Sequence, residues 1–170
     1  MTYYADLTPC DYFGAALRGV RWSSYLRAIG WLERGQEFPK GRVPAPVFRK
    51  LFAMAREPWE PVHCMGWHTC NLCWIPRLRP RLVFLLTPPF GVVSVGITNL
   101  FVPGQRFLYI APSMVLHYIS KHRYSPPTEF CEAVRACPPF RSQEYADAIV
   151  ANGPPELQSR RHVLFKQTVC

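Results

Sequence analysis

The sequence predicts an α+β fold, in which a small, mainly antiparallel sheet with a β-hairpin is packed by three to four helices. Three observations predict it. Residues 44–56 place Val47, Leu51, Met54 and Ala55 at helical spacing on one face. Two apolar stretches, 92–102 and 106–110, flank Pro103-Gly104, a strong turn signal. Prolines at 112 and at 126–127 then open further helical stretches.

Taken in chain order, the first 40 residues mix aromatics, Gly and Arg without a clean period. Trp31-Leu32 followed by Glu-Arg-Gly reads as a short buried segment ending in a turn. The helix over 44–56 tolerates Pro46 in its first turn. Residues 58–80 read as a loop. Residues 82–86 form a buried strand, and 92–102 form another, bent at Gly96. The strand over 106–110 returns as the second arm of a hairpin. Helices are expected from Pro112 to about His122 and from Glu129 to Ala136. A last helix is capped by Ser142 and ends near Asn152-Gly153. This organisation gives one globular domain over 1–153 and a basic tail over 154–170.

A chain of 170 residues buries roughly 70% of its unfolded surface, so a core is feasible without staples. Apolar residues at 49% and charged residues at 18% exclude a disordered chain. The 18 prolines predict short elements and many turns. The net charge of +9 attracts polyanions, acidic proteins or anionic membrane surfaces. Between Pro61 and Thr128 there is no Asp or Glu, while Arg77, Arg79, Arg81, Arg106, Lys121 and Arg123 all fall there. Residues 82–102 are uncharged and long enough to cross a bilayer. Pro88-Pro89, two glycines and three polar residues interrupt them, so no membrane span is expected. The opening Met1-Thr-Tyr-Tyr-Ala-Asp lacks the basic start and apolar core of a signal peptide. With seven cysteines, an odd number, a reducing, cytoplasmic setting is expected rather than a disulfide framework.

Chemistry concentrates in His68-Thr-Cys70-Asn-Leu-Cys73. Two cysteines separated by two residues can turn both sulfurs onto one ion, and thiolates suit Zn²⁺ in a tetrahedral site. Trp67 and Trp74 flank this knuckle. The expected ligands are Cys70, Cys73, His117 and His68, with Cys64 or His63 as replacements for His68. His122 lies five residues after His117, about 140° around a helix axis. A knuckle, a hairpin and then a ligand-bearing helix resemble treble-clef zinc modules, although the usual ligand pair near the helix start is incomplete here. Two other readings stay open. The cysteines can be a redox pair, although Pro76 disfavours the helix such a pair prefers, or they can be ordinary buried thiols. His117 on an apolar helix face also fits a core histidine. Cys10, Cys131, Cys137 and Cys170 are expected to be ordinary thiols.

Residues 111–130, containing His117-Tyr-Ile-Ser-Lys-His122, resemble a family of small, uncharacterised bacterial proteins found in actinobacteria and myxobacteria. Other shared motifs are Trp31-Leu32-Glu-Arg-Gly35, the central His68-x-Cys70-x-x-Cys73 and Val102-Pro103-Gly104. The similarity covers roughly residues 1 to 135. It implies a bacterial origin and a shared site of His68, Cys70, Cys73, His117 and His122. It implies no activity.

Three functions follow as expectations. The first is a structural zinc site in a domain whose surface binds an acidic protein partner. The second is a small zinc enzyme that uses the same residues with an open coordination position. No catalytic residue is assigned for it, because phosphate-binding glycine loops, His-Glu-x-x-His and a nucleophile elbow are all missing. The third is a zinc domain that binds nucleic acid through surplus arginine, including Arg77-x-Arg79-x-Arg81. A solvated strand edge that uses charge to avoid pairing is the favoured reading of those three arginines.

Overall fold

The computed structural model describes residues 2–13, 22–59, 68–73, 83–87 and 91–159. A short 3-10 turn at Trp22–Ser24 leads into β1 (Leu26–Ala28). Helix α1 (Ala45–Arg56) follows, then β2 (Val83–Thr87), β3 (Gly91–Val95), β4 (Asn99–Pro103) and β5 (Leu108–Pro112). Helices α2 (Val115–His122), α3 (Thr128–Ala136), α4 (Gln143–Asn152) and the short α5 (Glu156–Ser159) complete the elements of the described residues.

The fold is α+β. The central sheet has the order β1-β5-β4, with β4 and β5 an antiparallel hairpin around the Pro103-Gly104 turn. A second hairpin pairs β2 with β3. The described pairing is mainly antiparallel, and the three-stranded sheet is mixed in that β1 pairs in parallel with β5. That strand falls in the aperiodic opening of the sequence. It is only three residues long, and Leu26 and Ala28 are buried either side of Arg27. So short an alternation carries almost no signal, and the pairing is supplied by β5 from a distance.

Strand β5 lies at the centre of the sheet, and all five of its residues are buried. Helix α1 buries Val47, Leu51, Phe52, Met54 and Ala55 and packs on α3 and β3. Two buried polar bonds fix the layers. Trp31 Nε1 donates to the Ile110 carbonyl at 3.0 Å, and the Tyr145 hydroxyl donates to the Phe101 carbonyl at 2.7 Å. The Ser142 side chain accepts from the Tyr145 amide and caps α4. Beyond Gly153, α5 brings Leu157 into the core. No helix among the described residues is long and apolar enough to cross a membrane, and the described parts of 82–102 are strands joined by a bend at 96–98.

The stretch 92–102 breaks in two at Gly96. Gly96 has φ +99°, and a Cβ there would lie 2.3 Å from the His68 carbonyl oxygen. Only glycine combines that backbone with so close an approach. The Gly96 N–H donates to Ser113 Oγ at 2.9 Å, and the Gly96 carbonyl accepts the His68 N–H at 2.6 Å. Ser113 stands just before α2. One bend therefore fixes the start of the knuckle against the start of the ligand-bearing helix.

Candidate metal centre

The knuckle, residues 68–73, lies against α2. His117 belongs to the first turn of α2, and His122 is its last residue. Cys70 Sγ is 3.3 Å from His122 Nε2, and Cys73 Sγ is 3.3 Å from His117 Nε2 and 3.4 Å from His122 Nε2. The two Nε2 atoms are 3.3 Å apart. All four ligand atoms lie within 4.8 Å of one another, forming a set able to hold a metal ion. A tetrahedral zinc with Zn–S of about 2.3 Å and Zn–N of about 2.0 Å requires S···N edges of about 3.5 Å and an N···N edge of about 3.3 Å. The observed edges fit those values.

His122 is the residue on which α2 ends. Arg123 adopts the left-handed conformation at φ 58°, and its N–H bonds back to the Tyr118 carbonyl. The Gly41 N–H donates to the Arg123 carbonyl, and Lys40 bridges Tyr124. These contacts hold the end of the helix. On the knuckle side, Arg34 donates to the Cys73 carbonyl at 3.1 Å.

Burial sets the charge state of the cluster. His117, 7% exposed, is pushed down to about 4 by burial, then by His122 and Lys121. His122 is lowered by burial and by Lys40. Burial pushes the Cys70 thiol up to about 11. At neutral pH the imidazoles therefore present lone pairs, while Cys70 keeps its proton until a cation displaces it. A divalent metal and two thiolates sum to zero charge, which suits a half-buried position.

Cys70, Cys73 and His117 come together, and the fourth member of the cluster is His122 rather than His68. The His68 ring turns to the other side, where its Nε2 is 3.4 Å from the Tyr12 hydroxyl and its ring lies edge-on to Trp31. Burial lowers its pKa as well. The sequence did carry a signal for His122. Cys-x-x-Cys followed by His-x-x-x-x-His matches the ligand spacing of two-cysteine, two-histidine zinc sites. The 140° offset of an ideal helix hid it, yet the two imidazoles bring their Nε2 atoms together from positions within the same helix. Cys10, Cys131 and Cys137 lie outside the cluster as free, buried thiols. His63, Cys64, Trp67, Trp74, Arg77, Arg79, Arg81 and Cys170 lie outside the described residues.

Fold and site together define a small α+β domain with a two-cysteine, two-histidine cluster joining a knuckle to a helix. The chain belongs to the family described as Domain of unknown function (DUF7919), whose model matches residues 2–135. That span contains all four members of the cluster. No curated protein and no solved structure matches the chain.

Proposed function

We propose that this domain binds one zinc ion through Cys70, Cys73, His117 and His122, that the metal is structural, and that the surface around it docks an acidic protein partner. The observation that carries the metal is the set of four soft and borderline donors at tetrahedral spacing. Thiolate and imidazole together select zinc over hard cations. Four protein ligands close the coordination shell, whereas a catalytic zinc keeps one position for water. No carboxylate joins the cluster among the described residues. Both features favour the structural reading over the enzyme.

The partner reading rests on charge. Arg34, Lys40, Lys121 and Arg123 are exposed around the cluster, and the chain carries +9 overall. Such a rim favours an acidic surface by steering and complementarity.

Metal analysis of the purified protein tests the first part, with about one equivalent of zinc expected. X-ray absorption should show two sulfurs at about 2.3 Å and two nitrogens at about 2.0 Å. Less than half an equivalent, or a shell with a water oxygen in place of one imidazole, rejects the structural site. For the partner, a polyglutamate peptide and a DNA duplex are compared on the zinc-loaded protein. Preference for the peptide, lost in Lys121→Glu/Arg123→Glu, is expected. Preference for DNA rejects the protein-partner reading in favour of nucleic acid.

A further inference from the structure

The two sulfurs of the cluster stand near each other as well as near the imidazoles. Cys70 Sγ and Cys73 Sγ lie within 4.8 Å of one another on the same short knuckle. A disulfide brings two sulfurs to about 2.05 Å, so closure is a movement within that knuckle. Both cysteines are partly exposed, whereas Cys10, Cys131 and Cys137 are buried. Among the described thiols, a dissolved oxidant therefore meets this pair first.

The surroundings make the loss of two thiolates decisive. Arg34, Lys40, Lys121 and Arg123 are exposed around the cluster, and Lys121 and Lys40 act on His117 and His122. Two thiolates and a divalent ion sum to zero charge. Without the thiolates, a dication is left to two imidazoles inside a basic rim. No carboxylate stands in the cluster among the described residues to replace them. The elements that the ion joins have other anchors. Val115, Leu116 and Tyr118 bury α2 in the core, and the Tyr124 hydroxyl just beyond α2 donates to Asp6. At the start of the knuckle, the Gly96 carbonyl accepts the His68 N–H. The junction between Cys70, Cys73 and the two histidines can thus open while the fold around it is held.

We propose that Cys70 and Cys73 form a redox switch: a peroxide oxidises the pair to a disulfide, the zinc ion is released, and reduction restores the site. The inference rests on the zinc site proposed above. One thiolate attacks the O–O bond of the peroxide, giving a sulfenic acid and hydroxide. The second thiolate attacks that sulfur, forms the S–S bond and expels a second hydroxide. Two electrons pass from the two sulfurs to one peroxide. A dithiol returns the two electrons by thiol–disulfide exchange and regenerates both ligands.

The test treats the full, zinc-loaded chain with excess hydrogen peroxide. A chromogenic chelator reads free zinc, and alkylation followed by tandem mass spectrometry reads the thiols. Release of about one equivalent of zinc is expected, together with a loss of two alkylatable thiols that maps to a Cys70–Cys73 disulfide. Zinc added back should not be taken up until dithiothreitol is present, which separates oxidation from simple chelation. The Cys64→Ser/Cys170→Ser variant should behave in the same way. A protein that carries zinc and keeps it under peroxide, with both thiols intact, overturns the switch and leaves the zinc site standing. A disulfide from either cysteine to Cys64 or Cys170, or irreversible oxidation to sulfinic acid, also overturns it. Absence of zinc before peroxide is added removes the zinc site and the switch together.

Discussion

Two side chains of the same type, His68 and His122, separate ligand from neighbour. Both are partly buried and both have lowered pKa values, yet only His122 points Nε2 at the two sulfurs. His122→Ala should therefore reduce bound zinc to well under half an equivalent after dialysis against a weak chelator. His68→Ala should keep about one equivalent, because its loss empties the space beside Tyr12 and not the cluster. Equal zinc loss in both variants would contradict this assignment. Asp6 makes a second prediction at this scale. Its carboxylate accepts from the Gly30 N–H and the Tyr124 hydroxyl at 2.8 Å, and burial still raises its pKa above the ordinary value of 3.8. The folded state thus holds the Asp6 proton more tightly than the unfolded chain does. Its contribution is fully present below about 4 and is lost as pH rises through the raised folded value. The stability difference between the wild type and Asp6→Asn should accordingly shrink, or turn against the wild type, as pH rises from 4 toward 7. Metal release at low pH is common to both proteins and cancels in the difference. Denaturant unfolding at a series of pH values checks the slope, and a difference that grows with pH would reverse the sign.

At the scale of elements, local chemistry was legible and long-range pairing was not. Helix α1 was readable because Val47, Leu51, Met54 and Ala55 recur at a period that only a helix can bury together. The β4–β5 hairpin followed from Pro103-Gly104, and α4 from the Ser142 cap. Strand β1 was not readable, since its parallel partner β5 lies some 80 residues on. A parallel pair leaves no turn signature in the sequence. The candidate site divides the same way. Cys70 and Cys73 are local and announce themselves, and His117 follows from its place on the first turn of α2. His122 lies at the end of α2, where the left-handed stop falls on Arg123 and not on the usual glycine. That arginine supplies the prediction for this scale. Replacing it by glycine relieves the cost of a side chain in the left-handed region, so Arg123→Gly should stabilise the protein by up to about 1 kcal/mol. Zinc stoichiometry should not change, because the backbone that aims His122 is kept. Affinity for polyglutamate should fall with the lost charge. A drop in stability, measured by denaturant unfolding, would mean that the arginine side chain itself holds the helix end.

For the whole molecule, the question is how much of the fold depends on the metal. Zinc-finger peptides unfold without their ion because they have almost no other core. Here the sheet, α1, α3 and α4 share a continuous buried core that includes Trp31, Leu51, Phe101, Ile110, Phe130 and Tyr145. None of these is a member of the cluster. A metal held by the cluster would join the far end of the knuckle to α2 across more than 40 residues of chain. Removing it should therefore loosen that junction before it unfolds the domain. If free zinc stands at about a thousand times its dissociation constant, binding contributes about 4 kcal/mol. For a domain of this size that corresponds to a fall in melting temperature of roughly 8–16 °C on chelation. Hydrogen exchange on the chelated protein should show lost protection at residues 68–73 and in α2, with β4 and β5 still protected. The bonds at Gly96 give the boundary between the two behaviours: its carbonyl accepts the His68 N–H and its own N–H donates to Ser113 Oγ, so the start of the knuckle is tied to the core by contacts that need no metal. Uniform loss of protection across β4 and β5 on chelation would show instead that the ion is part of the folding nucleus. The domain would then behave as a large zinc finger rather than as a self-sufficient core carrying a metal clasp.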